Sequence, residues 1–242
     1  MHAITPRTNG TNPDRKKGGS LSMSLMDYTI GLVFFDVDGT LMRGVSSSRY
    51  LAQRLGNRKQ LLEAEAACER EEIDSAEVRR IDAAAWKRHK PDEVRAWLDE
   101  MPLVDGIEEV TDWCRRHGLA PYIASLAWNF VGNYLAERFG FEGCCGPELE
   151  ERAGMFSGRV AQLIEADDKV LYAQGLCEKL YIEPHACAAV SDGRSDLPLF
   201  GYVGCPIAFN ASNKIKETAR YSARGTDLRA ILPALQEWER TL

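Results

Sequence analysis

The chain has 242 residues, of which 45% are hydrophobic and 27% are charged, and its formal net charge is −6. This length corresponds to one large domain or to one domain with an insert, and the composition is typical of a globular protein with a sizeable core. The acidic balance argues against nucleic acid as a partner, because a phosphate polyanion repels a negative surface. The longest strongly apolar run, Ile30–Phe35, is far shorter than the ~18 residues of a membrane span.

Seven cysteines are scattered along the chain, and no CxxC pair occurs among them. An odd number of cysteines without metal-ligand spacing argues against both a disulfide framework and a zinc site. We therefore interpret them as reduced thiols in a cytoplasmic protein.

Residues 1–28 are rich in Gly, Ser, Thr, Asn and Pro and show no apolar periodicity, which predicts a disordered tail. They lack the apolar h-region of a secretory signal. The first predicted strand is the apolar run at Ile30, whose unbroken hydrophobicity is typical of a strand buried on both faces of a parallel sheet.

Residues 46–100 have a different character: they are rich in Ala, Glu, Arg and Lys and contain almost no Gly or Pro. This composition has strong helix propensity. Ser75 is the predicted N-cap of one helix, and Asp92 is the predicted start of another directly after Pro91. We interpret this segment as a helical cap inserted between residues 29–45 and 101–242 of one α/β core.

From residue 101 onwards, predicted helices and strands alternate. The predicted helices cover residues 106–117, 128–139, 168–180, 213–219 and 227–240. The predicted strands cover residues 120–124, 186–190 and 204–209, and a small antiparallel hairpin is predicted at 145–160. This alternation indicates βαβ units and therefore a doubly wound, mostly parallel, Rossmann-like sheet.

Polar side chains follow the predicted strands where each strand ends. Asp36 and Asp38 follow the first strand, Ser125 follows another, and Asp192 with Asp196 follows a third. Ligands bind at the carboxyl ends of the strands in open α/β sheets. Carboxylates that converge there repel each other unless a cation or a shared proton lies among them, and hard oxygen donors favour Mg²⁺.

Asp36 and Asp38 have a spacing that suits phosphoryl chemistry. One carboxylate can attack phosphorus, while its neighbour protonates the leaving oxygen and later activates water. Gly39 and Thr40 supply a tight turn with backbone N–H groups and a hydroxyl. Taken alone, the same residues are also compatible with an ordinary turn or a helix cap.

The run from Asp36 to Thr40, followed by Ser125, Lys169 and the run from Ser191 to Asp196, resembles the four motifs of the haloacid dehalogenase superfamily. The resemblance covers about residues 30–240 and is closest to the phosphoserine-phosphatase-like branch, which carries a helical cap between its first two motifs. It implies a Mg²⁺-dependent phosphomonoester hydrolase that acts on a small phosphorylated metabolite through an aspartyl-phosphate.

The resemblance also implies a role for each matching residue. Asp36 is the expected nucleophile and Asp38 the expected general acid and base. The expected Mg²⁺ ligands are Asp36, the backbone carbonyl of Asp38, and Asp192. Thr40, Ser125 and Lys169 are expected to bind phosphate, with Asp196 and Gly193 in supporting roles. The candidates for substrate specificity are Arg43, Trp86, Trp128 and Arg194.

The sequence departs from the pattern of that branch in three places. Leu126 and Ala127 stand where two glycines follow the motif-two serine, and Ser195 stands where an asparagine precedes the last aspartate. Val45 stands where phosphoserine enzymes carry a glutamate that holds the substrate's ammonium. We therefore expect phosphoserine to be a poor substrate unless another acid, Glu71 or Asp74, takes that role.

Other functions remain open to different degrees. A phosphotransferase that passes the phosphoryl group to an alcohol would use the same residues. A dehalogenase is disfavoured, because a leaving halide does not need Asp38. A receiver-like phosphorylation switch is disfavoured by Asp38 and by the cap, and an inactive binding module is disfavoured by the complete set of acidic and basic residues.

Overall fold

The computed structural model describes residues 29–242, and the sheet of its core is built around the strand β1, Gly31–Phe35. All five residues of β1 are buried. Val33 and Phe35 pack into one apolar cluster, whereas Leu32 and Phe34 pack into the cluster on the opposite face of the sheet. The strand is therefore covered on both faces, as its unbroken apolar run predicts. The tail predicted for residues 1–28 lies outside the described residues.

The main sheet has six strands in the order β3-β2-β1-β6-β7-β8, and every neighbouring pair is parallel. Its other members are β2 (Leu119–Ala124), β3 (Cys144–Cys145), β6 (Cys187–Ser191), β7 (Cys205–Phe209) and β8 (Tyr221–Ala223). The prediction of a doubly wound parallel sheet is confirmed. The two edge strands β3 and β8 were missed by the sequence analysis, because two or three residues give no periodicity.

Helices cover both faces of this sheet. The core helices are α5 (Ile107–Arg116), α6 (Asn129–Phe139), α7 (Ala166–Leu180), α8 (Leu197–Tyr202), α9 (Asn213–Lys216) and α10 (Leu232–Glu239). Side chains of α5, α6 and α10 join the cluster that contains Val33, and side chains of α7, α8 and α9 join the cluster that contains Leu32. Among residues 29–242, no helix is both long enough and apolar enough to cross a membrane.

The closing helix is shorter than the sequence analysis predicts. The segment 227–240 contains a 3-10 turn at Leu228–Ile231 and only then the α-helix α10. Pro233 lies in the first turn of α10. A proline lacks the N–H that would continue a preceding helix, so it favours the start of a new one.

Four helices lie between β1 and α5, and we call them the cap helices. They are α1 (Ser47–Leu55), α2 (Arg58–Glu69), α3 (Ser75–Ala85) and α4 (Pro91–Leu98). The N-cap of α3 is Asp74 rather than the predicted Ser75, since the Asp74 carboxylate accepts from the backbone N–H of Glu77 at 2.7 Å. Helix α4 begins at Pro91, a residue that suits the first position of a helix because its missing N–H is not needed there.

The predicted antiparallel hairpin is formed by β4 (Glu148–Arg152) and β5 (Met155–Gln162), and it holds the end of α3. The backbone N–H of Arg88 donates to the carbonyl of Phe156, and the N–H of Phe156 donates to the carbonyl of His89, each at 2.9 Å. Through these two bonds, Arg88 and His89, which follow α3, pair with the hairpin strand β5. The hairpin therefore anchors the cap helices to the core.

Trp86 lies in an aromatic cluster at this junction and is fully buried. Its ring centroid is 5.1 Å from that of Phe130 on α6 and 5.8 Å from that of Phe156 on β5. Edge-to-face contacts at such distances stabilise a core beyond simple area burial. The contacts that the structure gives Trp86 are thus packing contacts between cap and core.

Candidate active site

The site lies at the carboxyl edge of the sheet, where β1 stands between β2 and β6. Asp36 follows β1, Ser125 follows β2, and Asp192 follows β6. The chain proceeds from β1 to β2 on one side of the sheet and from β6 to β7 on the other. The crevice between β1 and β6 is therefore a topological switch point, which is where open α/β sheets bind their ligands.

The centre of the site is a buried ammonium between two carboxylates. Lys169 Nζ donates to Asp36 Oδ1 at 3.0 Å and to Asp196 Oδ1 at 2.7 Å, and the lysine side chain is 0% exposed. Burial alone lowers the pKa of Lys169, but the charges of Asp36 and Asp196 outweigh it and raise that pKa above its usual value. Lys169 is therefore a cation that joins the loop after β1 to the loop after β6.

Asp196 is held by hydroxyl groups as well as by the lysine. Ser191 Oγ donates to Asp196 Oδ2 at 2.7 Å, and Ser195 Oγ donates to the same oxygen at 3.2 Å. The backbone N–H of Gly193 donates to Ser191 Oγ at 3.1 Å. Burial and the nearby charge of Asp36 raise the pKa of Asp196 to about 6, against the opposing charge of Lys169. The sequence analysis assigned no role to Ser191, although it directly precedes Asp192.

Asp38 is oriented by the first residue of the cap helices. The backbone N–H of Ser47 donates to Asp38 Oδ1 at 2.6 Å, and the Ser47 hydroxyl donates to Oδ2 at 3.1 Å. Burial raises the pKa of Asp38 to about 6, and the charge of Asp36 adds to this, although both bonds from Ser47 lower it. A carboxyl group that titrates near neutral pH is suited to give and take a proton. The sequence analysis missed Ser47, which has no distinguishing signal in a serine-rich run.

Asp192 lies close to the turn that follows Asp38. A Cβ atom at Gly39, whose φ is +82°, would lie 2.1 Å from Asp192 Oδ2, so only glycine fits there. Burial, followed by the charge of Asp36, raises the pKa of Asp192 to about 7. The charged form of Asp192 is therefore destabilised by burial and by the negative charge around it, and a bound cation would offset this.

The residues predicted to hold Mg²⁺ fit that ion by their chemistry. Within residues 29–242, no three His, Cys, Asp or Glu side chains form a ready-made cation cage. The predicted set contains only two side chains, Asp36 and Asp192, together with the backbone carbonyl of Asp38. Mg²⁺ is usually bound by one or two carboxylates and completes its shell with water and substrate oxygens.

Two buried hydroxyl groups lie on the loops of this edge. Thr40 is fully buried, and its Oγ1 atom has no hydrogen-bond partner among the described residues. Ser125 is also buried, and its Oγ accepts from the backbone N–H of Ala127 at 3.1 Å. A buried hydroxyl without a partner is uncommon in proteins, and an absent ligand oxygen is one reason for it. Both residues are thus suited to the phosphate-binding role that the sequence predicts.

A cavity of about 360 Å³ lies among the cap helices α1, α2 and α3. Its polar lining residues are Ser48, Arg49, Glu65, Cys68, Glu69, Ser75, Arg79 and Asp82. Arg49 Nε donates to Glu65 Oε2 at 2.7 Å, and Arg79 lies close enough to Asp38 to lower the pKa of that acid. Glu71 and Asp74, which the sequence analysis named as replacement acids, do not line this cavity; Glu71 is exposed and Asp74 caps α3.

The candidates for specificity have varied positions. Arg43 and Arg194 are exposed. Trp128 is buried, and its Nε1 donates to Asp82 Oδ2 at 2.7 Å. Neither Trp128 nor Trp86 lines the cavity among α1, α2 and α3. The sequence analysis did not identify Asp82 as a candidate, because a single aspartate in a helix rich in charged residues does not stand out from its neighbours.

The buried carboxyl of Asp82 makes stability depend on pH. Burial raises its pKa from the ordinary 3.8 to about 6, although the bond from Trp128 and the charge of Arg79 oppose this. Between these two values the folded chain binds more protons at Asp82 than the unfolded chain, so its contribution to stability falls as pH rises. We predict that Asp82→Asn removes this loss and still accepts the bond from Trp128.

In urea unfolding, the free energy of unfolding of Asp82→Asn should match that of the wild type near pH 4. It should exceed the wild-type value by about 3 kcal/mol near pH 8. Asp92→Asn, at an exposed position of α4, is the matched control and should show no such trend. A difference between Asp82→Asn and wild type that is independent of pH would contradict the prediction.

Comparison with known proteins matches the chain to one family. Residues 33–201 match the model of the haloacid dehalogenase-like hydrolases. A phosphoserine phosphatase of Idiomarina loihiensis is 28% identical over 217 residues, which cover 88% of this chain and 97% of that protein. A phosphoserine phosphatase of Archaeoglobus fulgidus is 25% identical, over 85% of this chain but only 60% of its own length.

Solved structures have the same fold. A substrate-bound phosphoserine phosphatase complex has a TM-score of 0.73 at 21% identity, covering 85% of this chain and 98% of that one. A probable phosphoserine phosphatase from Vibrio cholerae has a TM-score of 0.74 at 21% identity, covering 90% and 68%. Because the family model matches residues 33–201, the chain belongs to the haloacid dehalogenase-like hydrolase family.

Proposed function

We propose that this protein is a Mg²⁺-dependent phosphomonoester hydrolase that moves the phosphoryl group of a small phosphorylated metabolite first to Asp36 and then to water. The observation that supports this most directly is the buried Asp36–Lys169–Asp196 cluster beside Asp38. It places a carboxylate, a fixed positive charge and an acid with a raised pKa at one edge of the sheet. Phosphoryl transfer depends mainly on such positioning and charge neutralisation.

In the first step, a carboxylate oxygen of Asp36 attacks phosphorus. The bond between phosphorus and the ester oxygen breaks, and that oxygen takes a proton from Asp38. The raised pKa of Asp38 keeps a fraction of the acid protonated near neutral pH. Lys169 offsets the negative charge of the phosphoryl oxygens, and because it is buried its charge is weakly screened.

In the second step, Asp38 is a carboxylate and takes a proton from water as the water oxygen attacks phosphorus. The bond between phosphorus and the Asp36 oxygen breaks, which releases inorganic phosphate and restores Asp36. The hydroxyls of Thr40 and Ser125 orient the phosphoryl oxygens. Mg²⁺, held by Asp36, Asp192 and the carbonyl of Asp38, supplies Lewis-acid neutralisation of the phosphate when bound.

The leaving group enters the cavity lined by Arg49, Glu65, Arg79 and Asp82. Two of its lining residues connect it to the acid that protonates the leaving oxygen: Ser48 follows Ser47, which holds Asp38, and the charge of Arg79 lowers the pKa of Asp38. Its mixture of positive and negative side chains favours a small polar alcohol over an apolar one.

All seven cysteines are free, which supports a cytoplasmic location.

Phosphoserine is the second candidate substrate, because several relatives are named phosphoserine phosphatase. Its ammonium would need a carboxylate partner. Val45 offers none and packs against the apolar core. Glu65, Glu69 and Asp82 line the cavity and are the acids available for that role.

Asp36→Asn should abolish turnover while the protein stays folded, because an amide does not attack phosphorus. Hydrolysis of p-nitrophenyl phosphate and the thermal unfolding midpoint are the two measurements. Asp92→Asn makes the same chemical change at an exposed site and should retain wild-type kcat. A folded Asp36→Asn variant with even a tenth of wild-type kcat would contradict the nucleophile assignment.

Asp192→Ala should abolish activity at ordinary Mg²⁺ concentrations and regain part of it at high Mg²⁺, because one of two carboxylate ligands is lost. EDTA should abolish the activity of the wild type, and added Mg²⁺ should restore that activity. Titration of activity with Mg²⁺ measures both effects. Full wild-type activity in excess EDTA would overturn the metal requirement.

Phosphoserine should be a poor substrate in a screen with sugar phosphates, phosphorylated alcohols and nucleotides. A buried ammonium without a partner is strongly disfavoured, so kcat/KM for phosphoserine should be at least about a hundredfold below that of the best compound. Equal values would show that Glu65, Glu69 or Asp82 replaces the missing glutamate. Glu65→Gln should then reduce activity on phosphoserine selectively.

A further inference from the structure

We propose that Arg79 and Asp82 of α3 are positioning residues, which hold the loop Ser125–Trp128 so that Ser125 meets the phosphate. The inference rests on the proposed function, since it takes Ser125 as a phosphate ligand. It assigns to a cap helix a part in phosphate binding that is separate from contact with the leaving group.

Two bonds from one face of α3 reach the loop that follows β2. Arg79 Nη2 donates to the backbone carbonyl of Leu126 at 2.7 Å, and Trp128 Nε1 donates to Asp82 Oδ2 at 2.7 Å. The Arg79 guanidinium also lies 4.9 Å from the centroid of the Trp128 ring. Residues three apart share a face of a helix, so α3 contacts the loop at two positions two residues apart.

The opposite side of the loop is fixed to the sheet. The backbone N–H of Ser125 donates to the carbonyl of Cys145 at 3.0 Å, and Ser125 Oγ accepts from the N–H of Ala127 at 3.1 Å. The carbonyl of Trp128 accepts from Val131 at 2.8 Å in the first turn of α6. The loop therefore has two anchors on the core and two on the cap, and a movement of Leu126 or Trp128 displaces the Ser125 hydroxyl.

The Asp82–Trp128 bond requires the burial of a carboxylate, which lowers stability more than a purely structural contact needs to. Asp82 is 2% exposed and Trp128 is 1% exposed, so the bond places a carboxylate in a nearly dry contact between cap and core. A buried carboxylate lowers stability unless its partners compensate fully, and an apolar side chain of similar size would fill the same space at less cost. A positioning role explains why a directional bond suits this contact better than an apolar one.

Helix α3 also touches the element that carries Lys169. Ser75 Oγ, at the start of α3, donates to Glu165 Oε1 at 2.8 Å, and Glu165 is the N-cap of α7. One cap helix thus contacts two of the elements that supply phosphate ligands, α7 at its first turn and the Ser125 loop at its middle. Docking of α3 and the geometry of the phosphate site are therefore coupled.

The test compares variants that remove one bond each with variants of the same chemistry elsewhere. Trp128→Phe removes the indole N–H but keeps an aromatic ring, and Arg79→Met removes the donor to Leu126. Arg80→Met is the control for Arg79→Met, since Arg80 is exposed and pairs with Glu77. Trp238→Phe is the control for Trp128→Phe, since it removes a bond to the carbonyl of His185.

Three measurements are made on each variant: kcat/KM for p-nitrophenyl phosphate, calorimetric affinity for inorganic phosphate with Mg²⁺, and amide hydrogen exchange of residues 125–132. Trp128→Phe and Arg79→Met should each weaken phosphate binding and kcat/KM roughly three- to tenfold, the effect of one lost hydrogen bond. Exchange in the loop should become faster, and both controls should behave as the wild type.

Rescue separates positioning from general destabilisation. Asp82→Asn retains an acceptor for Trp128 and should keep near wild-type phosphate affinity, whereas Asp82→Leu should lose as much as Trp128→Phe. The double variant Asp82→Leu with Trp128→Phe should lose no more than either single variant, because both remove the same bond.

Wild-type phosphate affinity and wild-type loop exchange in folded Trp128→Phe and Arg79→Met would overturn the proposal. If Trp128→Phe does not fold, the comparison of Arg79→Met with Arg80→Met decides by the same criterion. If the wild type hydrolyses no phosphate ester, the proposed function fails. Phosphate affinity and loop exchange still decide whether α3 positions Ser125.

Discussion

The buried ammonium of Lys169 is the interaction on which the rest of the site depends. It lies between Asp36 and Asp196, at 3.0 Å and 2.7 Å, and all three residues are buried, so solvent screens their charges only weakly. Without it, the loops after β1 and β6 would bring negative charges together at one edge of the sheet. At Asp192, burial and, after it, the negative charge of Asp36 already raise the pKa to about 7. The charge that stabilises the fold here is the charge that phosphoryl transfer requires.

The sheet and the cap helices contribute different parts of the site. The sheet places Asp36, Ser125 and Asp192 at neighbouring strand ends, because parallel strands end at a common edge. The cap helices orient Asp38 through Ser47 and contact the Ser125 loop through α3. Separation of the cap helices from the core would therefore disturb Asp38, the proposed general acid, and the Ser125 loop, the proposed phosphate loop, as well as the cavity proposed for the leaving group.

Much of the sheet and the placement of the strand-end acids could be predicted from the sequence, because each apolar run ends in a polar residue at the catalytic edge. Ser47, Ser191 and Asp82 could not, since a single serine or aspartate in a polar stretch acquires a partner only when distant segments meet. Trp128, a candidate for substrate specificity, is buried, because its indole packs between cap and core while its N–H reaches Asp82.

The central claim is that the phosphoryl group resides on Asp36 between the two steps. Rapid acid quenching during turnover of p-nitrophenyl phosphate, followed by peptide mapping with mass spectrometry, measures this directly. The account predicts an acid-stable, base-labile phosphoryl group on the peptide that contains Asp36, and its absence in Asp36→Asn. Turnover without a phosphorylated peptide under conditions that accumulate the intermediate, or a phosphoryl group on a different residue, would contradict this claim.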